Sequence, residues 1–140
     1  MVRFILAFLL FAGVSTGLSI SAFAQNLPVP SYWLNQRGSE LKLYPKTPPS
    51  PVRFDGVYLN HAAGFKCQAS PTNPPYHVSG RTYGAYVTFK VVWNNGVQNC
   101  NSTTIWRGRV IGRTMTTHWI LFGPGISPPL RGIDIFQQQP

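Results

Sequence analysis

Apolar and polar residues alternate with a period of two along most of this sequence. Successive side chains of a β-strand point to opposite faces, so this alternation is typical of strands buried on one side. After the first 24 residues, no segment has the i, i+3, i+4 apolar repeat of an amphipathic helix, and glycine, proline and asparagine separate the runs. We therefore predict an antiparallel all-β domain of eight strands: Tyr32–Asn35, Ser39–Tyr44, Val52–Asn60, His77–Tyr83, Ala85–Asn94, Ser102–Val110, Thr114–Phe122 and Gly132–Gln137.

The first 24 residues have the features of a secretory signal peptide. Arg3 precedes an apolar run, Phe4–Val14, and Ala22–Ala24 forms a small-residue cleavage motif before Gln25. The run is too short to cross a bilayer as a helix, and no later segment resembles a stop-transfer sequence. We therefore expect a signal peptide at residues 1–24 and one mature domain at residues 25–140, secreted or periplasmic and without a membrane partner.

The two cysteines of the chain are Cys67 and Cys100. An even number of cysteines in an exported protein indicates a disulfide, and the alternative is a pair of free, buried thiols. Two cysteines alone lack the paired ligand spacing of a zinc site, so we expect no metal.

The sequence is strongly basic, with a net charge of +9. Removal of Arg3 with the signal peptide leaves eleven basic and three acidic residues, a net charge of +8. Such an excess can attract nucleic acids, but only Arg107, Arg109 and Arg113 lie close together in the sequence. Strand alternation places Arg107 and Arg109 opposite Trp106, so we interpret them as part of a solvated outer face and expect no nucleic-acid partner.

Strand alternation also assigns an inner face to every predicted strand. With Trp106 inside, Ser102 and Thr104 point inward, and charged residues point outward on every strand but the last. One end of the interior is then apolar and includes Leu41, Phe54 and Leu121. A closed barrel with a packed floor leaves room for one small ligand at the other end, where the polar and aromatic residues collect: Asn35, Ser39, Tyr58, Asn60, Trp93, Ser102, Thr104, Trp106, Trp119 and Asp134.

Several of these residues also have other interpretations. Trp33 fits a structural position in the barrel floor, and Ser102 and Thr104 are also ordinary strand formers. The sequence has no supported Ser-His-Asp order, no carboxylate pair and no histidine cluster, so we expect no catalytic residues and no enzyme activity. The alternative functions are a cationic barrel that binds single-stranded nucleic acid, and a carrier of another small hydrophobic ligand.

An ordered set of motifs resembles the avidin family of biotin-binding proteins, which includes avidin and streptavidin. Residues 33–39 (WLNQRGS) are similar to the family's opening W-x-N-x-x-G-S, and residues 54–58 (FDGVY) to its G-x-Y strand. Residues 79–81, 87–95, 101–106, 117–121 and 132–136 follow in the expected order. The resemblance covers nearly all of the mature chain and implies an up-and-down β-barrel that binds biotin and uses no cofactor.

The resemblance also implies a role for each residue of the mouth. Asn35, Ser39 and Tyr58 would donate hydrogen bonds to the ureido oxygen of biotin. Asp134 and Asn60 would accept from its two N–H groups. The sulfur would approach Thr104 and the carboxylate tail Ser102, while the ring would be walled by Trp93, Trp106 and Trp119.

Within the family, the chain looks most similar to the dimeric, rhizavidin-like branch. There, two cysteines join the loop after the third strand to the loop before the sixth, which implies a Cys67–Cys100 disulfide. Tetrameric members send a tryptophan from the loop before the last strand into a neighbouring site. Residues 123–131 contain no tryptophan, so the resemblance implies a homodimer.

Overall fold

The computed structural model of the protein describes residues 27–140. The expected signal peptide and its cleavage site lie outside these residues. Among the described residues, no helix is long and apolar enough to cross a membrane. They form eight β-strands: β1 Ser31–Asn35, β2 Glu40–Pro45, β3 Arg53–Leu59, β4 Tyr76–Tyr83, β5 Tyr86–Asn94, β6 Asn99–Ile111, β7 Thr114–Gly123 and β8 Ile126–Gln138.

The strands form a closed antiparallel barrel in which each strand pairs with the next one along the chain. β8 closes the barrel against β1, with Trp33 opposite Gln138 and Asn35 opposite Phe136. The eight-stranded all-β prediction is confirmed. Both ends of six of the predicted strands lie within one residue of the observed ends.

The other two strands, β6 and β8, are longer than predicted. β8 follows β7 through a tight turn at Pro124–Gly125, with Gly123 opposite Ile126, so the expected long loop before the last strand is largely strand. Pro128 and Pro129 argue against a strand in the sequence, because proline cannot donate to a ladder. This part of β8 pairs only with β7, since β1 reaches no further than Phe136, and the prolines are therefore tolerated.

The floor of the barrel is a tightly packed apolar core. Trp33, Leu41, Met115 and Phe136 have no accessible surface, and Phe89 stacks on Trp106 with ring centroids 5.0 Å apart. Trp33 also donates from Nε1 to Ser31 Oγ at 2.8 Å, so its buried N–H has a hydrogen-bond partner within β1. This fits a structural role in the floor. Burial of these large side chains supplies most of the stabilisation of a barrel of this size.

A disulfide joins Cys67 to Cys100, with their Cα atoms 6.1 Å apart, and the alternative of free thiols is wrong. Cys67 lies in the β3–β4 loop. Cys100 is the second residue of β6 rather than part of the preceding loop, because β6 begins at Asn99. The bond therefore anchors the β3–β4 loop to a strand of the barrel wall.

Candidate ligand-binding site at the mouth of the barrel

The mouth of the barrel holds a cavity of about 420 Å³. Strand alternation turns one residue in two of each strand toward it, and the strand register brings the polar ones to the same end. Nine of the ten residues predicted from the sequence line this cavity: Asn35, Tyr58, Asn60, Trp93, Ser102, Thr104, Trp106, Trp119 and Asp134. The tenth, Ser39, is completely buried, lies beside Tyr58 and is not among the residues that line the cavity.

Asn35 organises the β1–β2 turn and faces the cavity at the same time. Its Oδ1 accepts from the backbone N–H groups of Arg37 at 3.0 Å and Ser39 at 2.9 Å. Its Nδ2 is therefore turned toward Tyr58 Oη, at 3.3 Å. Ser39 Oγ accepts from the backbone N–H of His61 at 3.0 Å, so its hydroxyl proton is available to the neighbouring Tyr58 or to a ligand.

Tyr58 is a protonated donor within this group. Burial raises the pKa of its phenol well above the usual value of 10.0, and the negative charge of Asp134 raises the pKa further. Hydrogen bonds from Ser39 and Asn35 act in the opposite direction but are smaller. The three side chains thus present N–H and O–H groups to one region of the barrel interior.

Asp134 lies across the cavity, in β8, and its side chain is 5% exposed. Its Oδ2 accepts from Trp106 Nε1 at 2.8 Å. Its Oδ1 faces two groups at longer distances, Gln36 Nε2 at 3.4 Å and Arg37 Nε at 3.5 Å. Oδ1 therefore has room for a further donor from a ligand.

Gln36 holds this part of β8 in place. Its side-chain amide accepts from the backbone N–H of Ile135 at 2.8 Å and donates to the carbonyl of Ile133 at 2.9 Å. The amide thus takes the place of a paired strand beside Asp134, where β1 has already ended. Gln36 lies between two predicted strands, where strand alternation does not apply, so the sequence gives no indication of this contact.

Indole rings form the walls of the cavity. Trp93 Nε1 donates to Thr104 Oγ1 at 2.8 Å, which leaves the Thr104 hydroxyl proton free for a ligand. Trp93 and Trp106 lie 6.4 Å apart, and Tyr58 packs against both. On the opposite wall, Trp119 is seated over Gly132, where any side chain would collide with the indole.

Trp119 has one polar atom that the described residues leave without a hydrogen-bond partner. Its Nε1 is buried and has no acceptor among them. A buried N–H without an acceptor is costly, so this atom is a candidate donor to a bound ligand.

Asn60 organises the β3–β4 loop. Its Oδ1 accepts from the backbone N–H of Ala62 at 3.0 Å, and its Nδ2 donates to the carbonyl of Lys66 at 3.1 Å. An amide oxygen has two lone pairs, so one remains available for a ligand N–H.

The cavity has further lining residues that alternation did not assign to it. Arg37 and Phe65 come from loops, where no period-two rule applies. Leu121 was expected in the floor, but it lies opposite Thr104 and lines the mouth. Alternation predicts the face of a side chain and not its height in the barrel, which depends on the register. The other residues on this apolar side of the mouth are Pro124, Ile126 and Leu130.

Most of the positive charges lie on the outer surface of the barrel, whereas Arg37 and Lys66 line the cavity. Arg53 and Arg81 are cross-strand neighbours on the outer surface, and Arg107 and Arg109 are exposed, as expected. An interface for single-stranded nucleic acid combines aromatic and basic side chains on one accessible surface. The tryptophans are buried inside the barrel, away from these outer arginines, and this does not favour the nucleic-acid alternative. In the described part of the chain, no group of three or more histidine, cysteine or acidic residues could hold a metal ion.

Known proteins resemble this chain in sequence. A family model described as the Avidin family matches residues 23–125. Afifavidin from Afifella pfennigii is 39% identical over 112 residues, which cover 76% of this chain and 66% of afifavidin. Hoefavidin from Hoeflea phototrophica is 34% identical over 119 residues, which cover 77% of this chain and 70% of hoefavidin. The chain thus spans about two thirds of the length of these relatives.

Solved structures have the same barrel. Apo shwanavidin superposes with a TM-score of 0.72 at 37% sequence identity, covering 83% of this chain and 100% of that chain. A complex of rhizavidin with biotin gives a TM-score of 0.68 at 36% identity, covering 81% of this chain and 93% of that chain.

Proposed function

This chain belongs to the avidin family, and we propose that it binds biotin, non-covalently and without catalysis, in the mouth of its barrel. The solved complex of the similar protein rhizavidin with biotin supports this function. The observation that carries the proposal is the convergence of two donors, Asn35 and Tyr58, and the Asp134 carboxylate on a single cavity walled by indoles. A carrier of purely hydrophobic ligands would not bury so many polar groups around its ligand.

The ureido oxygen of biotin would lie among Asn35, Ser39 and Tyr58. Asn35 keeps one N–H and Tyr58 its O–H for the ligand, and the raised pKa of Tyr58 keeps that proton on the phenol. Ser39 would turn its hydroxyl from Tyr58 toward the ligand. Three converging donors favour the charge-separated form of the ureido group, as an oxyanion hole favours a developing charge. Here the same preorganisation would serve binding.

The two ureido N–H groups would donate to Asp134 Oδ1 and Asn60 Oδ1. The bond to Asp134 would be charge-assisted and therefore the stronger of the two. In support, Oδ2 of Asp134 is already held by Trp106, so that its carboxylate is oriented before the ligand arrives.

The thioether ring would pack between the indoles of Trp93, Trp106 and Trp119, with Thr104 donating toward the sulfur. The carboxylate tail would leave past Ser102 toward the backbone N–H groups of residues 62–66. These assignments place the polar bicyclic head at the bottom of the cavity and the acid at its opening.

Fluorescence titration with biotin tests this function directly. Binding would change the emission of the wall tryptophans and saturate at one biotin per chain. The diamine analogue of biotin, which lacks the ureido carbonyl, would bind far more weakly, because the three donors would lose their acceptor. A titration with biotin that gives no saturable change would refute the proposal.

We also propose that residues 1–24 direct export, to a secreted or periplasmic location, and that the mature chain forms a homodimer. The tight β7–β8 turn carries no tryptophan for a neighbouring site. On the outer surface, Tyr83 is 85% exposed and Tyr86 56% exposed, and large exposed aromatic side chains are common at interfaces. Light scattering of the purified mature protein would give the mass of two chains, and a mass of one or four chains would contradict the dimer.

A further inference from the structure

Arg37 is a charged residue in the mouth of the barrel that the roles above leave without a function. It lies in the β1–β2 turn, where Gly38 adopts a φ of +79° and the Arg37 N–H donates to Asn35 Oδ1. Its backbone is therefore fixed by a residue of the site. Its side chain is 34% exposed and lines the cavity.

The guanidinium of Arg37 lies against two aromatic rings from different parts of the chain. Its central carbon is 5.7 Å from the centroid of Phe65, in the β3–β4 loop, and 5.6 Å from that of Trp119, in β7. The two rings meet edge to face with centroids 5.9 Å apart. Both distances are within the range of cation–π attraction, and a flat, weakly hydrated guanidinium suits such a contact better than an ammonium group does.

The same guanidinium also pairs with the buried carboxylate of the site, with Arg37 Nε 3.5 Å from Asp134 Oδ1. Among the described residues, no other lysine or arginine lies within ion-pair distance of Asp134. Burying a carboxylate is costly unless a positive charge or several hydrogen-bond donors lie beside it. Arg37 therefore touches three of the elements that surround the cavity.

We propose that Arg37 is a positioning residue that latches the mouth of the barrel by holding Phe65 and Trp119 together beside Asp134. Because it ties the β1–β2 turn to the β3–β4 loop, opening of the mouth requires its contacts to break. The latch therefore slows the release of a bound ligand. This consequence for binding rests on the proposed function, whereas the latch itself is present in the ligand-free protein.

Hydrogen exchange of the ligand-free protein tests the latch without any ligand. In the Arg37→Met variant, which keeps the apolar stem and removes the charge, we expect the amides of residues 62–66 to exchange about tenfold faster. The matched control is Arg109→Met, which removes an arginine that lies over the ring of Tyr86 on the outer surface. The control should leave the exchange of residues 62–66 unchanged.

Biotin dissociation provides the second measurement, since each cation–π contact and the partly buried ion pair add to the barrier to opening. We expect about tenfold faster dissociation from Arg37→Met, and an intermediate rate from Arg37→Lys, which restores the charge but not the flat stacking group. In a Phe65→Leu background, the effect of Arg37→Met should fall to about threefold or less, because the partner ring is already gone.

Each outcome decides the proposal. Faster exchange in Arg37→Met supports the latch even if the wild-type protein does not bind biotin, in which case only the proposed function fails. Exchange within about twofold of wild type overturns the latch, whatever happens to dissociation. The latch is also overturned if Arg37→Met speeds the dissociation of biotin but not that of biotin methyl ester. Arg37 would then bind the carboxylate of the ligand directly.

Discussion

Several side chains in the mouth use one atom or lone pair for a hydrogen bond to another protein group. Each keeps a second atom or lone pair free for a ligand. Thr104 Oγ1 accepts from Trp93, Asp134 Oδ2 accepts from Trp106, and Asn35 Oδ1 accepts from two backbone N–H groups. The protein partners fix the orientation of each group before a ligand arrives. Little ordering is then left to oppose binding.

The first prediction concerns Asp134. Replacement by alanine should weaken biotin binding by at least about 1–2 kcal/mol, the usual contribution of a hydrogen bond to a charged group. Displacement calorimetry measures this difference. Asp55→Ala, which removes an outward carboxylate paired with Lys46, is the matched control. Equal affinities of Asp134→Ala and the wild type would remove Asp134 from the site.

A second prediction concerns the pH dependence of stability through Tyr58. Its folded-state pKa is raised above the ordinary value of 10.0, so only the unfolded chain releases this proton as the pH passes that value. The stabilisation by neutral Tyr58 is therefore complete below pH 10 and decreases as the pH rises above it.

Absorbance of tyrosinate checks this prediction. Tyr58→Phe should reduce the titration step of the denaturant-unfolded protein by one tyrosine's share and leave the step of the folded protein unchanged. A smaller step in the folded variant would mean that Tyr58 titrates normally in the native barrel.

At the scale of whole elements, the β3–β4 loop is held by contacts to several other parts of the barrel. The Cys67–Cys100 disulfide ties it to β6, Asn60 spans it through Ala62 and Lys66, and Arg37 contacts Phe65 within it. A loop that closes over a site usually loses conformational freedom when the ligand binds. Here much of that freedom is already absent in the ligand-free protein.

The double variant Cys67→Ala, Cys100→Ala should therefore be less stable and release biotin faster. Closing a chain segment with a sequence separation of 33 residues corresponds to roughly 3–4 kcal/mol in the chain-entropy treatment. Urea unfolding gives the stability, and competition with excess ligand gives the dissociation rate. The same measurements on reduced wild-type protein separate the loss of the bond from the loss of the sulfur atoms. If the double variant and the reduced wild type both release biotin at the rate of the oxidised wild type, the disulfide has no part in holding the loop over the site.

For the whole molecule, the barrel wall separates most of the positive charge from the binding chemistry, with Arg37 and Lys66 as the exceptions. The proposed ligand is held by short-range hydrogen bonds and indole contacts inside, while most arginines lie outside. Biotin affinity should therefore change little between about 50 and 200 mM salt, a range over which binding through several phosphate contacts falls steeply. Titrations of biotin and of a single-stranded oligonucleotide at both salt concentrations test this. A steep salt dependence of biotin binding would place the outer cations in the site after all.

Much of the barrel and of its mouth could be predicted, because strand alternation is a local property. Ser102, Thr104 and Trp106 share a face in any strand, whatever their neighbours are, and Asp134 shares its face with Phe136 for the same reason. Leu121 shows where this rule ends. Its inward direction was predicted, but its position at the mouth depends on pairing with Thr104.

The pattern of residue types along the chain is enough to predict an eight-stranded barrel and the side chains that face its interior. The height of each side chain in the barrel, the absence of Ser39 from the cavity lining, and the contacts of Arg37 with Phe65, Trp119 and Asp134 depend on the folded barrel. Contacts of this second kind join residues that are far apart along the chain. They form only when strand register and loop closure bring those residues together, and no local pattern of residue types encodes that closure.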